Sequence, residues 1–288
     1  MNFLLFAVTA SSLILISFKV FEKLGIDSFT AITVNYIVGA AFGYNYIDWE
    51  VSTTGVISSN WFPMAALTGL ALIVSFVLFS LSAQKAGIAI TAISSRMAVI
   101  TSVLFGIFHF GDNAGIVKIS GIALAIVAFY LTFRKEKADH PSLFLLLLPL
   151  SVFILMGLND IILKITQFYY IGDSNTTEQT RYAATAFLFG FLIGIPALMY
   201  RYLSQKKSVN IKDIGAGILL GLLNWFSTYY LLRGLAVMEV SLFIPLLNIS
   251  VVTISALVGF FVFREKLTMV NKIGILTAIF AIILIARG

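Results

Sequence analysis

Ten apolar stretches of about twenty residues account for most of this chain. They run over about Asn2–Val20, Thr30–Ile47, Trp61–Ser82, Ala86–Phe110, Gly115–Phe133, Ser142–Ile165, Arg181–Leu203, Asp213–Leu235, Val240–Phe263 and Val270–Ala286. A helix rises about 1.5 Å per residue, so each run is long enough to cross about 30 Å of hydrocarbon. With 60% of its residues hydrophobic, 11% charged and a mean hydropathy of +1.01, the chain has too few polar side chains to cover a folded surface in water. Lipid is therefore the expected solvent. The expected fold class is all-α, a polytopic membrane protein of ten transmembrane helices.

The first run follows Met1-Asn2 with no basic segment before it, and its small residues Ala10-Ser11-Ser12 lie inside it. It reads as the first span rather than as a cleaved signal peptide. The absence of cysteine removes disulfides, thiolate metal sites and thiol nucleophiles. A net charge of +6 raises the question of nucleic acid, but the basic residues sit at the ends of the apolar runs and in short loops. Membrane topology accounts for them, and no nucleic-acid partner is expected.

The second half of the sequence repeats landmarks of the first. Gly39 and Gly43 match Gly190 and Gly194, Gly69 matches Gly221, and Phe110, Asp112, Gly121 and Arg134 match Phe263, Glu265, Gly274 and Arg287. The offset drifts only from 151 to 153, so one register holds through four runs. The repeats are residues 1–134 and 142–288, joined by a charged linker at 135–141. Five spans per copy is an odd number, so the second copy enters the membrane upside down, as in many secondary transporters. Small residues one turn apart, at Gly39 and Gly43, Gly190 and Gly194, and Gly217 and Gly221, allow helix backbones to approach closely, with packing inside the monomer expected over a dimer face.

The strings Leu235-Ala236-Val237-Met238-Glu239-Val240-Ser241, Pro245-Leu246 with Asn248, Phe263-Arg264-Glu265-Lys266-Leu267, Lys272-Ile273-Gly274-Ile275 and Ala286-Arg287 resemble the closing half of an EamA-type protein of the drug/metabolite transporter superfamily. The first half echoes them more weakly. The resemblance implies two inverted five-helix repeats around a central substrate cavity, serving export or exchange of a small metabolite. It departs from this chain at Ser94-Ser95-Arg96, near where the ninth run has Pro245, and in the family's cytoplasmic termini.

Arg96 is the one ionisable residue well inside a run. A central Arg costs about 2.5–3.5 kcal/mol on insertion scales, so it is expected to face the bundle interior or a wet cavity. Its guanidinium fork suits a carboxylate or phosphate on a substrate; the structural alternative is a lock on helix-end carbonyls or on Asp160. In the eighth run Trp225, Tyr229 and Arg233 recur every four residues, with Asn224 and Thr228 alongside, a face that would hold an organic solute or else sit in the interfacial belt. Asp160, four residues before Lys164, is a candidate for proton coupling or a local ion pair. Pro245 is expected to kink the ninth run and to free a carbonyl near Asn248. Asn35 reads as an interhelical hydrogen bond, Glu239 and Glu265 as headgroup contacts, and His109 with Asp112 as a weak candidate proton pair.

Enzymatic signatures are missing: there is no His-Glu-x-x-His, Walker loop or Gly-x-Ser-x-Gly. The expectation is a non-enzymatic secondary transporter of a small, amino-acid-like or otherwise anionic metabolite, without cofactor or metal. Its partners would be that solute and the lipid bilayer, as monomer or homodimer, in the plasma (inner) membrane of a bacterium. Alternatives are a carrier for phosphorylated or nucleotide-linked sugars, which would need a second basic residue beside Arg96, and a non-transporting receptor or assembly protein.

Loops after the odd-numbered runs hold thirteen Lys/Arg against five on the other side. Basic excess marks the cytoplasmic face, which puts both termini on the opposite side. A reporter that fluoresces only in the cytoplasm, fused after Gly288, is expected to stay dark. A bright signal would restore the orientation that the resemblance implies.

Overall fold

A computed structural model of the chain describes residues 2–46, 53–111, 115–133, 143–171, 176–205, 209–235, 240–265 and 267–287. These residues are all-helical, with no strand among them: α1 Asn2–Leu24, α2 Ser28–Tyr46, α3 Thr53–Ile57, α4 Phe62–Lys85, α5 Ile88–Met97, α6 Val99–Phe105, α7 Ile116–Phe133, α8 Leu143–Thr166, α9 Thr176–Gln205, α10 Ile211–Leu235, α11 Val240–Phe261 and α12 Met269–Arg287. Six helices are long and apolar enough to cross a membrane, and three shorter apolar helices accompany them. This is the architecture of an integral membrane protein. The linker 135–141, Asp112 and Glu239 lie outside the described residues, as does the side chain of Pro245, on which the expected kink rests.

The helices pack as two compact units. One comprises residues 1–19, 78–157 and 226–288; the other comprises 20–77 and 158–225. Each therefore draws on both halves of the sequence. The core of the first unit is formed by Ile93 and Met97 of α5, Ile122 and Ala125 of α7, Val252 of α11, and Ala278 and Ile282 of α12. In the second unit Val56, Trp61 and Ala65 pack with Tyr182 and Ala186 of α9.

The principal helix pairs are α7 with α12, α2 with α9 and α5 with α11. Each joins segments related by the repeat offset. In α2 and α9 the contact is reciprocal: a Cβ on Gly39 would collide with the Phe187 ring, and one on Gly190 would come within 3.1 Å of Tyr36. Gly39 and Gly190 stand 151 residues apart in sequence, as do Tyr36 and Phe187, and the two rings lie 5.7 Å apart. Gly217 and Gly221 of α10 seat on α2, where added Cβ atoms would meet Val34 at 2.5 Å and Val38 at 2.7 Å. The small-residue pairs thus serve packing inside the chain, where dispersion between closely approaching backbones replaces the hydrophobic drive that lipid cannot supply.

The fourth apolar run forms one span, Ile88–Phe110, as expected, with a local irregularity at Ala98, whose φ of −53° and ψ of −21° stay right-handed helical. Ser94 Oγ donates to the Ile90 carbonyl at 2.9 Å and Ser95 Oγ to that of Ala92 at 3.0 Å, side-chain bonds that compete with the backbone ladder. The Thr101 amide then closes a tighter turn onto the Ala98 carbonyl at 2.9 Å, and the run ends in a π-helical turn over Gly106–Phe110.

In the second unit a polar knot ties the start of α2. Asp27 caps it, accepting from the Thr30 amide at 3.2 Å and its hydroxyl at 2.7 Å, and takes a two-pronged bond from Arg201 at 2.9 and 3.1 Å. Asp213, which caps α10 through the Asn210 amide at 3.1 Å, also accepts the Asp27 amide at 3.0 Å. Burial pulls the Asp27 carboxyl upward, but the hydrogen bonds from Arg201 and Thr30 and the Arg201 charge outweigh it and hold it below its usual 3.8. A depressed carboxylate contributes stability above its unfolded pKa, and that contribution is lost as pH falls through the folded value. Asp27→Ala is expected to cost about 2 kcal/mol at neutral pH, roughly half from the cap and half from the partly exposed ion pair. In thermal unfolding of the detergent-solubilised protein, the gap between wild type and variant should close below about pH 4. A gap constant across that range would exclude the Asp27 charge as its source.

Candidate functional site

Arg96 lies near the end of α5, two residues before Ala98, and is half-buried. Its Nη1 donates to Asn248 Oδ1 on α11 at 3.3 Å, and Asn248 is 7% exposed. Asp160, the other partner weighed for Arg96, is exposed on α8. Sequence reasoning placed Asn248 beside a freed carbonyl; the structure makes it a partner of the guanidinium. Their separation of 152 residues, equal to the repeat offset, was the available signal.

The eighth-run residues divide between the units. In the second unit, Asn224 Nδ2 donates to Asn35 Oδ1 at 3.2 Å, the interhelical bond expected of Asn35, which is fully buried. Trp225 is 9% exposed; its ring lies 6.3 Å from Tyr46, and a Cβ on Gly43 would come 3.1 Å from it. In the first unit, Thr228 and Tyr229 are half-buried, and Arg233 lies 5.4 Å over the Tyr229 ring, a cation–π contact at i, i+4 spacing. His109 stacks on Phe105 at 4.8 Å. Asn159, beside Asp160, donates to Ser75 Oγ at 2.7 Å.

Glu265 departs from the expected headgroup contact. Its Oε1 accepts from the Ile88 amide at 2.8 Å and Oε2 faces that of Ala89 at 3.5 Å, so the carboxylate caps the start of α5. The local backbone is shaped for it. Gly87 adopts φ +109°, open to glycine at little strain, and Arg264 turns the chain with φ +54°. A Cβ on Gly87 or Gly259 would stand 3.1 or 2.6 Å from Oε2. The start of α5 is thus tied to the segment after α11 by Glu265, and its end to α11 by Arg96. The positive end of the helix dipole favours the carboxylate. The pattern Gly87 before a helix gave no sign of a partner 178 residues later, which is why the sequence alone missed it.

Glu265→Ala is expected to lower stability by about 2 kcal/mol, the cost of leaving helix-start amides without their acceptor. Gly259→Ala should produce a similar loss by displacing the carboxylate, and the double variant should lose little more than either single. Additive losses in detergent thermal unfolding would show that the two positions act separately.

No protein-family profile matches the chain. An uncharacterized protein of Haemophilus influenzae is 24% identical over 290 residues, covering 98% of this chain and 96% of the relative. A solved crystal structure, titled only as that of a protein, aligns over 98% of this chain and 94% of its own with a TM-score of 0.58 and 14% identity, a likeness of fold alone.

Proposed function

We propose that the chain is a secondary transporter of the EamA type, in the drug/metabolite transporter superfamily, that exports or exchanges a small organic anion by alternating access. The observation that carries this reading is Arg96: a guanidinium deep in an apolar run, hydrogen-bonded to Asn248. Intramembrane arginines are costly and are retained where they serve ion or substrate pathways. The ten apolar runs and the packing of repeat-related helices against one another support two five-helix copies, inverted by their odd span number.

In this reading Arg96 holds the anionic group. Thr228 and Tyr229 on α10 contact the body of the solute, Pro245 eases bending of α11, and Asp160 on α8 takes up a coupling proton.

The test compares small molecules released into the medium by cells expressing no protein, wild type or Arg96→Lys. An organic anion should accumulate with wild type and fall at least tenfold with Arg96→Lys, which keeps the charge and loses the bidentate fork. Membrane fractions must hold equal amounts of folded protein. The same release from both forms would remove Arg96 as the anchor, and no wild-type-dependent change in any solute would overturn export.

A further inference from the structure

Arg96 and Asn248 stand 152 residues apart, within the repeat offset, which is 152 at Gly69 and Gly221 and 153 at Phe110 and Phe263. They also touch, at 3.3 Å. A contact between repeat partners has a geometric meaning. When two copies are related by a two-fold rotation, residue i of one meets j of the other while j meets i, and equivalents meet each other only on the axis. The second unit displays this reciprocity by itself: Gly39 lies under Phe187, Gly190 under Tyr36, and the two rings meet. There the partners are alike, glycine with glycine and ring with ring. At the contact of α5 with α11 they differ, one a guanidinium with five donors and the other an amide with both donor and acceptor.

We propose that Arg96 and Asn248 are the two halves of one position on a local two-fold axis between α5 and α11. Asn248 is then a positioning residue: its carbonyl grips one edge of the guanidinium and turns the fork toward a small oxyanion, a carboxylate or phosphate, in a single orientation. The divergence of the two partners removes the symmetry that would otherwise let such an anion bind in two equivalent ways. This rests on the anion-anchor reading of Arg96, whereas the axial placement does not.

Two measurements separate the two claims. The first is thermal unfolding in detergent of Arg96→Asn, Asn248→Arg and the exchanged double variant. On an axis, an arginine issuing from α11 reaches the same point with an asparagine opposite it. The double variant should therefore unfold within about 2 °C of wild type, while Asn248→Arg alone, which places two guanidinium groups together, unfolds well below it. A double variant as unstable as Asn248→Arg would overturn the axial placement.

The second measurement is the shift in unfolding temperature on replacing sodium chloride with sodium glutamate or sodium phosphate at equal ionic strength. Wild type and the exchanged variant should both be stabilised by one of these anions. Asn248→Asp should unfold no lower than wild type, because its carboxylate pairs with Arg96, yet lose that stabilisation, because the same carboxylate occupies the fork. Asn248→Ala, which removes the grip on the fork without adding a charge, should lose most of that stabilisation as well, and an anion response equal to wild type in Asn248→Ala would overturn the positioning role. A wild type unmoved by either anion would overturn the anion anchor, leaving the exchange experiment to decide the axis independently.

Discussion

Hydrocarbon offers a backbone no hydrogen-bonding partner, and this constraint organises the molecule from helix interior to helix end. Inside each span the ladder satisfies itself, so the described residues are helical throughout their apolar runs. At the ends and breaks the groups that the ladder leaves over must be met by side chains. Asp27 serves the start of α2, Asp213 that of α10, Glu265 that of α5, and Asn271 accepts the Thr268 amide at the start of α12. Lys19 donates to the Gln84 carbonyl near the end of α4 at 2.6 Å, and Gln84 returns a bond to the Phe18 carbonyl at 3.1 Å. The scarce polar residues of the chain are thus concentrated where helices stop.

The same solvent removes the ordinary reason for helices to associate. Lipid tails are as apolar as leucine, so contact has to come from close approach and from shared polar groups. Glycine provides the first at Gly39, Gly190, Gly217 and Gly221, and amides provide the second at Asn35 with Asn224 and at Asn159 with Ser75. These contacts are specific in register: moving Gly39 by one position would place a side chain against Phe187. Repeat-related helices that share such surfaces tend to find each other, which explains the pairing of α2 with α9 and of α7 with α12.

What the sequence made legible follows from the range of each interaction. The spans were readable because hydropathy is local. The glycine landmarks were readable because two copies carry them at one offset. Partners from distant segments were not: Glu265 is a plausible loop carboxylate until Gly87 and Gly259 are seen to clear space for it. Likewise, nothing near Trp61 announces that its indole donates to Glu178 at 2.9 Å.

Arg96 gathers these strands. Its helix is secured at one end by a carboxylate facing two backbone amides and at the other by its own bond to Asn248, so its guanidinium is carried on an element tied at both ends. Precise placement matters more for arginine than for lysine, because a planar fork recognises an oxyanion only when its plane and that of the ligand agree. The capping of α5 by Glu265 and the bond to Asn248 therefore act on the same variable, the orientation of one charged group in an apolar surrounding. On the anion-anchor reading proposed above, such a site would depend on residues that never touch the anion, and Glu265 would be the clearest of them.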